Sequence, residues 1–128
     1  ETNELRNVLN AHLSETEKQI QRLDEVFEFV DEAPSTEECE AVDGLLEEAE
    51  EVMSEIDDKS VLDAGIIAAG QAVEHYEIAR YGTLIAWADQ IGLSQAKGLL
   101  EQTLEEEKRA DKLLTEVALQ NVNRQAAE

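Results

Sequence analysis

Between Val61 and Ile91 the chain contains no proline, and Ile67, Gln71, Glu74, Ile78, Tyr81, Ile85 and Ala88 recur in alternating steps of four and three. That spacing is one face of a helix. At 1.5 Å per residue the segment predicts a helix about 45 Å long. Three further helical segments read out on the same grounds. The first covers Asn3 to Val30, where Leu9, Leu13, Thr16, Ile20, Leu23 and Phe27 form a seam facing a neighbour. It ends before Pro34, which disfavours helix at Ala33. Ser35 followed by Glu38 predicts a capping box opening a second, shorter helix from Thr36 to Ile56. Ser60 followed by Asp63 predicts the start of the third, and Gly92 its stop. The fourth runs from Ser94 to about Asn123. No strand alternation occurs, so the chain is all-α, and short connections predict antiparallel order for successive long helices.

Composition narrows the function classes. The 128 residues suffice for one domain, and the aromatic content of 4% predicts an aliphatic core. The net charge of −21 excludes electrostatically driven binding to nucleic acid or to an anionic membrane. No apolar run reaches the ~18 residues of a membrane span. The periodic segments argue against disorder. The acids are spread along the whole chain, which favours a surface adapted to high salt over dedicated cation binding. A single cysteine, Cys39, excludes an intrachain disulfide and fits a reducing, cytoplasmic compartment. With two histidines and no basic pattern beside Cys39, no nucleophilic triad can be singled out.

The interior-facing acids carry the chemistry. Glu74 lies at the centre of the third helix's stripe. On the fourth helix Leu99, Thr103, Glu106, Ala110, Leu113 and Val117 form a similar row centred on Glu106. Glu15 lies beside the first helix's seam, on a row with Val8, His12, Gln19 and Val26. Converging carboxylates repel unless they neutralise or a cation sits between them. Oxygen donors with an imidazole suit iron or manganese. His12-x-x-Glu15 and Glu74-x-x-Glu77 each put two donors on one helical face. Against this, 31 of the 128 residues are acidic, so an acid at a seam position can be accidental. Glu77, Glu105 and Glu107 read as solvated face or ion-pair members, with Lys108, Arg109, Asp111 and Lys112 lacing the surface around Glu107. Trp87, Tyr76 and Tyr81 read as core or interface aromatics. A short echo aligns Glu15 with Glu106 and Leu23 with Leu114.

The stretches HLSETEKQIQRLDEVF, CEAVDGLLEEAEEV, QAVEHYEIARYGTLIAWADQIG and LLEQTLEEEKRADKLLTEVA together resemble the YciE/YciF-like stress proteins over nearly the whole chain. The resemblance implies a ferritin-like bundle with a short helix in the crossover, a carboxylate-bridged di-iron or di-manganese site, and self-association into a homodimer or higher homo-oligomer. Members usually begin with a further helix, so the helices here correspond to the second, the crossover, the third and the fourth. Carried over, Glu15, Glu74 and Glu106 become metal ligands, with His12 and Glu77 as further candidates. The rival expectation is a non-enzymatic, dimerising helical interaction protein without metal. A third, storage in an acidic shell, lacks any sign of cage-forming surfaces.

Overall fold

A computed structural model describes residues 2–128. Its long helices are α1 (Asn3–Phe29), α2 (Glu40–Glu55), α3 (Lys59–Gln90) and α4 (Ser94–Val117). A π-helical turn (Ala118–Val122) and a last α-turn, α5 (Asn123–Ala126), continue α4. No strand occurs among the described residues. Local chemistry sets the boundaries. The Thr2 hydroxyl accepts from the Leu5 backbone N–H and caps α1. The Asp58 carboxylate accepts from the N–H groups of Ser60 and Val61, so α3 begins at Lys59 on an aspartate cap rather than at Ser60. Past the last turn of α3, Gly92 takes φ +76°, which a side chain would resist. The capping box expected at Ser35 does not form. Residues 32–39 are not helical, and α2 starts four residues later than expected, behind Cys39. There the Cys39 thiol lies 3.1 Å from the Tyr76 hydroxyl of α3, tying the start of α2 to a neighbour.

Pairwise contacts fix the helix directions. Thr2 N–H donates to Asp63 Oδ2 at 2.7 Å, and ten residues further along α1 His12 meets Glu74. Both positions ascend together, so α1 and α3 run parallel. The stretch holding α2 is a crossover that carries the chain back along the bundle, antiparallel to α3 with Cys39 against Tyr76 and Val52 beside Gly65, so successive helices alternate as expected and α1 and α3 come out parallel. α4 is antiparallel to both: Glu15 pairs with Arg109 and Arg22 with Glu106, while Gln71 donates to Asp111 and Thr115. α4 is the common neighbour of α1 and α3, and α2 packs on α3. The result is three long helices of a ferritin-like bundle plus a crossover helix.

Two apolar clusters close the ends of this bundle. Leu5, Ile67, Leu114, Val117, Ala118 and Val122 form one. Tyr81, Ala88 and Leu100, flanked by Leu23, Val26, Ile85, Leu93 and Leu104, form the other. Between them lies a polar layer of Gln19, Glu74, Thr103 and Glu107, each at most 3% exposed. The fold thus places acids in its least hydrated layer.

Small residues at the start of α3 let α2 approach closely. A Cβ added at Gly65 would lie 2.8 Å from Val52 Cγ1, whereas one added at Gly82 meets nothing within 4 Å. Gly82→Ala is therefore expected to stabilise by up to about 1 kcal/mol through helix propensity. Gly65→Ala is expected to lose about 1 kcal/mol net, because overpacking outweighs the same gain. Urea titration of the two variants checks the opposite signs.

Candidate functional site

At mid-height of the bundle, His12 of α1, Glu74 of α3 and Glu107 of α4 converge. The His12 Nε2–Glu74 Oε1 distance is 2.9 Å. Glu74 is 3% exposed and Glu107 is fully buried. One ligand atom from each of the three lies within 4.8 Å of the others, a group that could hold a metal ion. His12 Nδ1, Glu74 Oε2 and both Glu107 oxygens are buried without a hydrogen-bond partner. Carboxylate oxygens only accept, so Glu74 and Glu107 can satisfy each other only through a shared proton or a cation. A cavity of about 180 Å³, bounded by Val8, Leu9, Val73, Ala110 and Leu114, opens beside His12 and Glu74.

Without a cation, protons do the compensating. Burial, reinforced by a proton shared with Glu74 and by that neighbour's charge, pushes Glu107 up to about 9. Burial also pushes Glu74 upward, but the hydrogen bond of His12, the proton shared by Glu107 and the His12 charge together outweigh it and hold Glu74 below the usual carboxylate range. His12 is raised chiefly by that same hydrogen bond, against its own burial. The layer thus sets the His12–Glu74 pair beside a Glu107 that keeps its proton at neutral pH.

The sign of the pH dependence follows. Between the ordinary carboxylate value and about 9, folded Glu107 keeps a proton that the unfolded chain has released. Stability therefore falls as pH rises through that window, by at most about 1.4 kcal/mol per unit for one proton. The raised His12 acts in the same direction, its contribution being lost as pH climbs past the folded value. The melting temperature of the chelator-treated chain is expected to drop steadily from pH 6 to pH 9. A flat or rising profile contradicts this reading.

Of the residues singled out in the sequence, the structure brings His12 and Glu74 together. Glu77, one turn further along α3, is half-buried, and burial and then the Glu74 charge raise it. Glu15 and Glu106 lie outside the group, and each is held by an arginine. Arg22 grips Glu106 with two nitrogens at 2.7 and 3.0 Å, Gln19 donates to it at 3.1 Å, and the Arg22 bond lowers its pKa. Arg109 donates to Glu15 Oε1 at 2.9 Å. The echoed pair thus shares a role, as arginine partners between α1 and α4.

Glu107 is the residue that sequence reasoning assigned to the outer face. Its neighbours Lys108, Arg109 and Lys112 drew that reading, yet Ala96, Leu100, Thr103, Glu107, Ala110, Leu114 and Val117 form the buried row. That row also alternates four and three without a break, and Glu107 is its one acid, which is the signal that was available. His75, adjacent to Glu74, turns outward and meets Asp111 at 3.1 Å. Tyr81 is buried, which with the Glu77 charge pushes its hydroxyl up to about 12. Trp87 is 63% exposed and so is not core.

An all-α, ferritin-like bundle with a buried histidine–carboxylate group at mid-height is the class that fold and site define. The chain belongs to the family described as a domain of unknown function, DUF892, which matches residues 1–127. It is 48% identical over 123 residues to Protein YciF of Escherichia coli (strain K12), covering 95% of this chain and 74% of that protein. The crystal structure of the E. coli stress protein YciF superposes with a TM-score of 0.90 at 47% identity, covering 95% of this chain and 77% of the other. YcfI of Rhodopseudomonas palustris superposes with a TM-score of 0.88 at 52% identity, covering 90% and 73%. Among the described residues no helix is long and apolar enough to cross a membrane.

Proposed function

We propose that this protein is a ferritin-like stress-response protein that holds a divalent transition-metal ion, iron or manganese, through His12, Glu74 and Glu107. The observation that carries the reading is the set of four buried, unpartnered ligand atoms on those three side chains. Leaving such atoms bare is costly, and a cation among them removes the cost. One imidazole with carboxylate oxygens, and no sulfur, matches the preferences of iron and manganese. When bound, such an ion supplies one-electron redox chemistry. The chain's own residues do the rest. His12 is oriented by α1, Glu107 gives up its proton as the cation enters, and the cavity beside Val73 and Leu114 leaves room for a small molecule at the edge of the site. Elemental analysis of protein purified under reducing conditions tests it. Bound iron or manganese near stoichiometric amounts is expected. Less than about a tenth of an equivalent, a tenfold margin, counts against the reading.

A second reading has its own support. Leu13 and Ile20 on α1 are each 59% exposed, and Trp87 on α3 and Ile91 just past its end are 63% and 69% exposed. Leu13 and Ile20 in the middle of the α1 seam therefore lie open, while Leu9 and Leu23 of the same seam pack against the two apolar clusters. A patch of that kind marks an interaction surface, and a homodimer or higher homo-oligomer would cover it. Analytical ultracentrifugation is the test. Leu13→Gln with Ile20→Gln is expected to shift the chain to monomer, and an unchanged sedimentation coefficient removes α1 from the interface.

A further inference from the structure

We propose that the crossover helix α2 is a strap that opens independently of the bundle, and that screening of its charges by dissolved salt closes it. No metal ion is involved. The helix reads EAVDGLLEEAEEVMSE, with seven acids and no base. Helical spacing brings those acids together. Asp43 and Glu47, Glu47 and Glu51, and Glu51 and Glu55 are each four apart. Glu40 and Asp43, Glu47 and Glu50, and Glu48 and Glu51 are each three apart. Like charges at these spacings destabilise a helix. Closure also brings this charge down on a chain that is itself strongly negative, net −21.

What holds α2 down is thin. None of its residues is buried; Val42, Leu45, Ala49 and Val52 are half-buried, and Leu46 and Met53 are 50% and 48% exposed. It packs on α3, and a cavity of about 140 Å³ remains between Leu45 and Val52 on one side and Gly65, Ala68, Ala69 and Ala72 on the other. Gly44 weakens the helix from within, at a position where a Cβ would meet nothing. Among the described residues no ion pair or side-chain hydrogen bond joins Glu40–Glu55 to another helix; the polar tie is at the cap, between the Cys39 thiol and the Tyr76 hydroxyl. A thiol is a weak partner. Residues 32–39 and 56–58 are not helical and give the strap slack at both ends. A sixteen-residue helix is marginal in water without its packing. The bundle does not lean on α2 in return. The buried face of α3, with Ile67, Glu74, Tyr81 and Ala88, points elsewhere, and Gln71 is bonded to Asp111 and Thr115 of α4.

Salt screens both the repulsion within α2 and the repulsion between α2 and the rest. Closed, the strap hides its apolar side and the small-residue stripe of α3. Open, it bares both, while the polar layer between α1, α3 and α4 keeps its geometry. Ionic strength thereby sets which surface the protein presents.

Amide hydrogen exchange read by mass spectrometry, in about 0.01 M and about 1 M KCl, decides the matter, because the screening length falls between them from about 30 Å to about 3 Å. In low salt the α2 amides are expected to exchange more than about tenfold faster than those of α3 and α4, which marks local opening. In high salt they are expected to slow by about tenfold or more, and the α4 amides by much less. Glu47 is exposed, and Glu47→Lys turns its like-charged pairs with Asp43, Glu50 and Glu51 into opposite ones. That variant is expected to slow α2 exchange about tenfold in low salt and to blunt the response to KCl. Three results overturn the proposal: α2 amides that exchange in step with those of α4 in low salt, fast α2 exchange indifferent to KCl, or a Glu47→Lys chain whose α2 exchange and salt response are unchanged.

Discussion

Glu107→Leu is expected to stabilise the metal-free protein by about 2 kcal/mol and to weaken metal binding by more than about a hundredfold. The two effects have one cause. Glu107 is fully buried, both of its oxygens lack a hydrogen-bond partner, and it abuts the charge of Glu74. Without a cation, the folded state bears the desolvation of a carboxyl group that gains little in return. Leucine is similar in volume and fits a row already made of Leu100, Ala110 and Leu114. With a cation present, the same carboxyl becomes a ligand and its loss removes a third of the donor group. Urea unfolding with and without Mn²⁺ checks the crossing of signs. Glu107→Gln separates charge from shape. It imitates the protonated carboxyl, so it should be nearly silent in the chelated protein and still defective in binding. A loss of more than about 1 kcal/mol for Glu107→Leu in the chelated chain would contradict the account.

Arg22→Ala is expected to cost about 3 kcal/mol, with or without metal. It strips Glu106 of a two-pronged ion pair, leaves the Thr103 hydroxyl without its Arg22 donor, and opens the contact between α1 and α4. The residual exposure of both side chains lets water soften the loss, which keeps the figure at the lower end for a broken buried pair. Arg22→Lys retains the charge but not the fork, so it should recover only part of the stability. Combining Arg22→Ala with Glu106→Ala should be less costly than the sum of the single changes. A double-mutant cycle measures that coupling, and strict additivity would show that the pair contributes nothing.

The two expectations concern neighbouring acids, Glu106 and Glu107, that a linear reading could not tell apart. Two rows on α4 carry almost equal apolar weight: Leu99, Thr103, Glu106, Ala110, Leu113 and Val117, or Leu100, Thr103, Glu107, Ala110, Leu114 and Val117. They share three positions. Which is buried depends on how far α4 is turned about its own axis, and that rotation is set by packing against α1 and α3. Leu114 is 3% exposed and Leu113 39%, so packing settled on the second row. On α1 the same thing happened in reverse. Leu13 and Ile20, in the middle of the more apolar seam, are left open, and the polar row bearing His12, Gln19 and Arg22 faces α4 and α3.

On α3 no such ambiguity existed. The expected stripe contains Ile67, Glu74, Tyr81 and Ala88, all four of which are buried. Thirty-two helical residues without a breaker, flanked by partners on several sides, leave one consistent inward face.

What the residues alone determined is therefore the helix count, the approximate helix limits, and the presence of a carboxylate in the middle of α3's inner face, since these depend on spacing and turn chemistry within one segment. Tertiary structure alone decided the burial of Glu107 and the capture of Glu15 and Glu106 by arginines 94 and 84 positions away. The physical reason is one of range. Periodicity is a property of a single helix, whereas rotation about the axis and the pairing of charges are settled only when several helices meet and each buried acid must find a proton, an arginine or a metal ion.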